Sequence, residues 1–511
     1  MTQTFIATSA IASYSISGTV SYAGALTGRV YIRVSGGGGG NLGTSISAPG
    51  AFTIRGFPNG SYTLSASMDN IGKGSSNASN PAGNSTTVVV STADVTGVAI
   101  TLADPAAAAT PTTPLNLSVN PSNTAAMIFW DTTKNLNGVE TATAYKIYWG
   151  TDIAATTGAP ITVPVGDANN SGLYVQSGLT NGPYYYKVSS LVSGNGESAP
   201  STVVGPITIG ATTGSNTVSG TVTYPGTATG PMIVGVFNKT GGIFFTRIAS
   251  PTSPEAYSVA GVPSGSYFNF VIIDMNNNGI IDVGDISNTS GNTPQITVSA
   301  NTMANVTLTA AGAVEQVTTN HSSNGTPAQD YYNANVDVNN GTKLAVAVTV
   351  VSAPYIAVPF DMSNPYGSFY TGFGLSSVRP NVGDAFKVKV TYSDGTSEYL
   401  TSSVTGVLDS FATNPIVTPT PSANVPTFSW AAPTTPPASY TYKLNVNQNA
   451  VGQVWNYPQD NGMPSTQLSV VYNFDSRANP ASLVTGTMYN WTISVRDANR
   501  NEAQWQSSYT P

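Results

Sequence analysis

A seven-residue stretch that occurs twice sets the strongest constraint on what this chain can fold into. Ile16-Ser17-Gly18-Thr19-Val20-Ser21-Tyr22 returns as Val218-Ser219-Gly220-Thr221-Val222-Thr223-Tyr224. A second block follows each copy: Gly56-Phe57-Pro58-Asn59-Gly60-Ser61-Tyr62, then Gly261-Val262-Pro263-Ser264-Gly265-Ser266-Tyr267. Matching blocks at a fixed separation mark a duplicated structural unit. The opening run alternates apolar and small polar residues, the period of a strand with one buried face, and Pro-x-Gly-Ser-Tyr is turn chemistry leading into another alternating run. Each copy is therefore expected to be a small antiparallel β-sandwich.

A chain of 511 residues is too long for one core and divides into roughly three to five domains. Charged residues make up only 8%, while 51 Gly and 34 Pro suit strands joined by tight turns and leave few helix formers. No convincing amphipathic helix is present. Hydrophobic residues at 40% are enough to fill several small cores, so the low charge does not signal disorder. Net charge is -7 and the 17 Lys and Arg do not cluster, which argues against nucleic acid and anionic lipid as partners. The absence of cysteine excludes disulfides, thiolate metal sites and cysteine nucleophiles. No apolar run approaches the length of a membrane span. Residues 1–13 lack the basic and apolar segments of a signal peptide, so an exported chain is expected here in mature form; a native Met1, as in a virion protein, is the alternative.

The SGTV and PxGSY blocks resemble those of carboxypeptidase regulatory-like domains, transthyretin-like sandwiches common in secreted and surface proteins. That resemblance covers 14–103 and 216–311. Between them, 114–209 resembles a fibronectin type III domain: Ile128-Phe129-Trp130 matches its strand B, Ala144 to Trp149 its strand C, and Leu179 to Val188 its E to F corner, with Tyr184 as the corner tyrosine. Residues 427–511 resemble another fibronectin or immunoglobulin-like sandwich, with Phe428-Ser429-Trp430 and a corner at Tyr489. Residues 312–411 form a β-domain without a recognisable family, including a hairpin that turns at Asp394-Gly395. Stiff linkers are expected over 104–113 and over 412–426, and a strand-compatible tail over 1–13. The expected fold class is all-β, a string of about five immunoglobulin-like or transthyretin-like antiparallel β-sandwiches arranged as a rod.

One chemical motif stands out, in the second regulatory-like unit. The segment 274–285 places Asp274, Asn276, Asn278, Asp282 and Asp285 at loop positions 1, 3, 5, 9 and 12, with the Ile280 carbonyl at position 7 and Gly279 at the turn. Hard oxygen donors in this number and spacing suit Ca²⁺, and the loop resembles an EF-hand or dockerin loop without flanking helices. Asp285 stands where Glu is usual and has a shorter reach. The alternative is a solvated Asn/Asp/Gly hairpin. In the first copy Asp69 aligns with Asp274 but no ligand series follows, so no metal is expected there.

Catalysis is not expected, because a single histidine and no cysteine leave only carboxylate pairs as candidates. His321 reads as an exposed loop residue. Trp455 and Trp505 fall outside the core strands and are candidate ligand-contact aromatics. The aromatics between Tyr355 and Gly374 are either core or contact surface. The expectation is a non-enzymatic, extracellular or cell-surface bacterial protein, a filament-forming or adhesive subunit with one structural Ca²⁺. Self-association through sheet edges or the N-terminal tail is expected, because few charges are available to blunt open edges. A carbohydrate- or ligand-binding surface module, contacting polysaccharide or another surface protein, is the alternative; a virion fibre or decoration protein is a second.

Overall fold

The alternation of small polar and apolar residues is realised as strands throughout, and no helix is found among the described residues of the computed structural model. Those are 13–36, 41–72, 74, 77, 80–105, 110–133, 140–165, 172–211, 213–238, 242–289, 294–325, 330–364, 367–448, 452–458, 462–475 and 478–511. The expected N-terminal tail, the glycine run after Gly36, the alanines of the first linker and Tyr366 lie outside them.

The duplicated blocks explain themselves in the packing. Tyr14–Tyr22 lies between Ala51–Phe57, antiparallel, and Val95–Leu102, parallel. Asn216–Thr223 lies likewise between Glu255–Val262 and the parallel Thr302–Met303 and Val306–Thr307. Ile16 and Val20 face one core, Val218 and Val222 the other. The glycine between them is required by a close main-chain approach. A Cβ at Gly18 would collide with the Val98 carbonyl, and one at Gly220 with the Ala304 carbonyl. In the second block the tyrosine is tied back to the proline: Tyr62 Oη donates to Pro58 O at 2.9 Å and Tyr267 Oη to Pro263 O at 3.0 Å. Facing sheets centred on the Arg29–Gly36/Gly60–Asp69 pair and on the Met232–Phe237/Gly265–Ile273 pair close the two sandwiches.

Residues 112–211 pack the sheet of Leu115–Pro121, Ala125–Asp131 and Leu173–Ser177 on a second sheet built around Ala144–Gly150 and Gly182–Val192. Trp130 lies against Tyr145 in the core, and Tyr184, Tyr186 and Val188 line it from one strand. The Tyr184 hydroxyl accepts from Thr180 N at 3.3 Å, and the Tyr489 hydroxyl accepts from Val484 N at 3.1 Å in the last unit.

The string doubles back on itself instead of extending as a rod. The first sandwich shares one continuous core with the fourth. The Arg55 guanidinium grips Asp361 through Nε at 2.9 Å and Nη2 at 2.7 Å, while Arg55 N donates to the same carboxylate at 2.9 Å. Such forked, charge-assisted pairs are stronger than neutral hydrogen bonds. Ser363 N donates to Asn41 O, and Gly56 has no room for a Cβ, which would sit 2.8 Å from the Phe360 ring. The second sandwich meets the third through Ala125, Met127 and Val175 against Ile233, Phe245, Phe270 and Ile272.

The fourth and fifth units are joined by a ladder. Ala313–Ser323 pairs in parallel with Glu502–Tyr509, in register from Asn320↔Glu502 to Ser323↔Trp505, and creates one eight-stranded sheet. The expected linker at 412–426 is largely a strand. Thr413–Ser422 pairs with Val425–Ala431 at the outside of a three-stranded sheet. An edge strand tolerates Pro415, Pro419 and Pro421 because its outer side needs no N–H. Most aromatics between Tyr355 and Gly374 are core: Phe360, Phe369 and Phe373 are buried. His321 is not an exposed loop residue either. It lies in a strand, 7% exposed, stacked on Tyr332 at 4.0 Å.

Two carboxyl groups of the fourth unit are buried at a cost. Both Glu315 oxygens are sealed without a hydrogen-bond partner, and burial pushes this carboxyl up to about 7. Burial raises Asp337 to about 6, opposed by the charge of Arg500. A raised carboxyl holds its proton in the folded state after the unfolded chain has lost it, so stability is full below the ordinary Glu range and falls as pH rises towards 7. Each pH unit in that window costs at most about 1.4 kcal/mol per group. Glu315→Gln is therefore expected to raise the melting temperature at pH 8 and to flatten its fall between pH 4.5 and 7, leaving pH 4 unchanged. Calorimetry across that range checks it; an unaltered slope contradicts it.

Candidate cation-binding loop at a sandwich joint

The loop leaves the buried strand Gly265–Ile273, and its first acid inherits that burial: Asp274 is 3% exposed. Asp274 Oδ2 accepts from Gly279 N at 2.8 Å and Oδ1 from Asn278 N at 3.1 Å, which folds the chain around the carboxylate. Asn277 and Gly279 take left-handed φ values of 54° and 76°. Glycine meets no Cβ penalty there. Asn276 Oδ1 accepts from Asn278 N and Asn278 Oδ1 from Ile280 N, while both amide nitrogens donate to Asp282. Asp285, 6% exposed, closes the loop by accepting from Met275 N at 2.9 Å and Asp282 N at 3.0 Å.

Three acids are thus drawn into one turn, two of them buried. Burial, with repulsion from Asp282 and Asp274, pushes the Asp285 carboxyl up to about 7; burial first, and the Asp282 charge last, raise Asp274. Among the described residues no Lys, Arg or His forms an ion pair with any of the three. Arg247 reaches only the Asn277 amide oxygen, at 3.3 Å. Among the described residues no three acidic or histidine side chains converge as a ready cage. The donor set is mixed, three carboxylates with two amides and the Ile280 carbonyl. Hard oxygens carrying uncompensated negative charge fit a Ca²⁺-like cation. The Asn276 and Asn278 nitrogens now facing Asp282 would have to yield to their oxygens.

The loop spacing makes Ile281 an apolar plug and Ile280 only a carbonyl donor, but both side chains reach a neighbouring sandwich. Ile280 is buried in the core of the second sandwich, and Ile281 packs into the layer between the second and third. Gly279 O accepts from Val175 N at 2.8 Å, which adds the loop to the free side of Leu173–Ser177. The signal was present as two adjacent apolar residues in an otherwise polar turn. In the first copy Asp69 Oδ2 accepts from Gly74 N at 2.8 Å in the same way, and Gly74 O accepts from Asn364 Nδ2 of the fourth sandwich at 2.9 Å. Both copies therefore dock a neighbour with the same loop.

The two candidate ligand-contact tryptophans differ. Trp455 is 2% exposed in the core of the last sandwich, with Nε1 donating to Asp475 at 2.8 Å. Its neighbours cover the ring, so it cannot stack on a sugar. Trp505 is half-buried and lines a cavity of about 460 Å³.

No protein-family model matches the chain, and no curated protein is similar to it. Among solved structures, the tetra-tandem repeat in the extending region of a large adhesion protein is similar over 78% of this chain and 98% of that chain, at 17% identity and a TM-score of 0.13. That overlay is too loose to transfer any domain arrangement.

Asp274→Ala removes the acceptor of two main-chain N–H groups and is expected to lower stability in chelator by about 1–3 kcal/mol. Asp282→Ala leaves those bonds in place. Wild type is expected to melt higher in millimolar Ca²⁺ than in chelator, and both variants to lose that difference, read by calorimetry and by metal content after dialysis. Equal melting of wild type in Ca²⁺ and chelator contradicts the site.

Proposed function

We propose that this chain is a non-enzymatic, extracellular or cell-surface structural protein, an adhesive or filament-forming subunit whose joints are stiffened by packing and by one bound Ca²⁺. The observation that carries this reading is the way its sandwiches are fastened. The first and fourth share a core, the second and third share an apolar layer around the acidic loop, and the fourth and fifth share a sheet. Neighbouring domains held only by linkers move relative to one another, whereas large apolar contacts fix them. A chain organised to hold shape suits a scaffold.

Self-association is supported by the outer strands of the eight-stranded sheet. Phe369–Ser376 and Gly452–Tyr457 contain no charged residue and no proline, the usual devices that blunt an edge. A second copy could extend either strand by main-chain pairing beyond the points already bonded, Tyr370 N to Ser363 O and Val454 O to Asn479 N, with the strand-compatible residues 1–13 as the added strand. Ca²⁺ would act as a clamp, since extracellular sites bind at roughly 10⁻⁴ to 10⁻³ M.

Two measurements test this reading. Negative-stain microscopy of the chain with and without residues 1–13 is expected to show end-to-end assemblies only when the tail is present. Small-angle scattering in Ca²⁺ and in chelator is expected to show the same compact subunit loosening on chelation, and Ile280→Ala to loosen it in both. Monodisperse particles under every condition would overturn the assembly, and identical scattering profiles would overturn the clamp.

A further inference from the structure

The cavity beside Trp505 sits where the fourth and fifth units meet, and it is built from both. Asp409 to Pro415 form one wall, Thr434 and Thr435 another, and the Trp505 ring a third. Its volume of about 460 Å³ falls within the roughly 300–1,000 Å³ of small-ligand clefts.

The walls are held in place from behind. Asp409 accepts from Tyr332 Oη at 2.8 Å and from Arg379 Nε at 2.9 Å. His321 Nδ1 lies 2.8 Å from the same carboxylate, without the alignment of a hydrogen bond. The His321 ring is covered by Tyr332 and meets the edge of Phe411 at 4.7 Å, and Phe411 in turn meets Trp505 edge-on at 6.4 Å. On the opposite rim, Ser410 Oγ donates to Thr435 O at 2.6 Å and Thr413 Oγ1 to Ala432 O at 2.9 Å. A ring and a carboxylate are thus fixed at one opening before any ligand arrives, which lowers the ordering cost of binding.

The groups facing the opening retain hydrogen-bonding capacity. Among the described residues Trp505 Nε1 has no acceptor, and the Thr434 hydroxyl and Asn414 amide have no partner. Asn414 is held at a left-handed φ of 49°. Asp409 is 44% exposed and each carboxylate oxygen offers two acceptor positions, so the bonds it makes do not exhaust it. No lysine, arginine or histidine lines the cavity, and Arg379 behind the wall is engaged by Asp409, so the opening offers an anion no cationic partner. The ligand class this selects is uncharged, has an apolar face for the indole, and carries several hydroxyl groups for Asp409, Asn414 and Thr434.

We propose that this cavity binds a neutral hexose or N-acetylhexosamine unit of a polysaccharide, packed on Trp505 and hydrogen-bonded to Asp409. The proposal rests on the adhesive reading above and supplies its ligand class, but sugar binding by single subunits and assembly into filaments are read by different measurements, so either can fail alone.

The test is saturation-transfer NMR of the full chain with D-glucose, D-galactose, D-mannose, N-acetyl-D-glucosamine and D-glucuronate at millimolar concentration. Transfer to at least one neutral sugar, and none to glucuronate, is expected. Thr434→Trp fills the opening from an exposed loop position, and Asp409→Asn removes the charged acceptor; each is expected to weaken binding about tenfold or more, with melting temperature confirming that the variants fold. Trp505→Phe is expected to weaken it severalfold. Absence of transfer to all four neutral sugars, or transfer that survives both Thr434→Trp and Asp409→Asn, overturns the site.

Discussion

Both duplicated sandwiches depend on one close approach of main chain to main chain. At Gly18 and Gly220 the strand runs so near the carbonyls of Val98 and Ala304 that no side chain fits between them. This contact seats the last strand in parallel beside the first, closes the smaller sheet and fixes how it faces the larger. The loop that follows the long central strand of the facing sheet then emerges at a set place. In each copy it folds around an aspartate, Asp69 or Asp274, and presents a glycine carbonyl to a neighbouring sandwich. A backbone constraint within one unit thereby sets how units meet.

Much of this was legible in the sequence because it is local. The period of two, the repeated Gly and Pro-x-Gly-Ser-Tyr, the corner tyrosines Tyr184 and Tyr489, and the turn at Asp394-Gly395 all act over a few residues. What was illegible is non-local. His321 looked isolated because its neighbours Asp409 and Phe411 are distant in sequence. Trp455 looked exposed because its strand, Gly452–Tyr457, was not anticipated. The proline-rich segment read as a linker because proline is normally a strand breaker, and only its position at an edge permits it. The acidic loop was recognised by spacing, but spacing could not say that Ile280 would cross into another core.

Charge is scarce here, and where it is buried its pairing decides its role. Asp361 is answered by the Arg55 fork and fastens two sandwiches. Glu315 has no hydrogen-bond partner among the described residues, and burial pushes its carboxyl up to about 7. The loop acids lie between these cases, held by main-chain N–H groups and, among the described residues, in no ion pair with Lys, Arg or His. The same desolvation that strengthens the first site makes the second a liability and raises the carboxyl groups of the third.

The parallel pairing of Ala313–Ser323 with Glu502–Tyr509 has a consequence for how the protein comes into being. Its partners are 182 residues apart, as in the bond from Thr319 N to Asn501 Oδ1. During synthesis, the first strand of the fourth unit must wait with one side uncovered until the last strand of the fifth has been made. Closing so distant a contact is slow, and an uncovered strand is the element most prone to pair wrongly. The fourth and fifth units therefore mature as a single folding event once Glu502–Tyr509 has been made, and the interval before it is when this chain most needs protection.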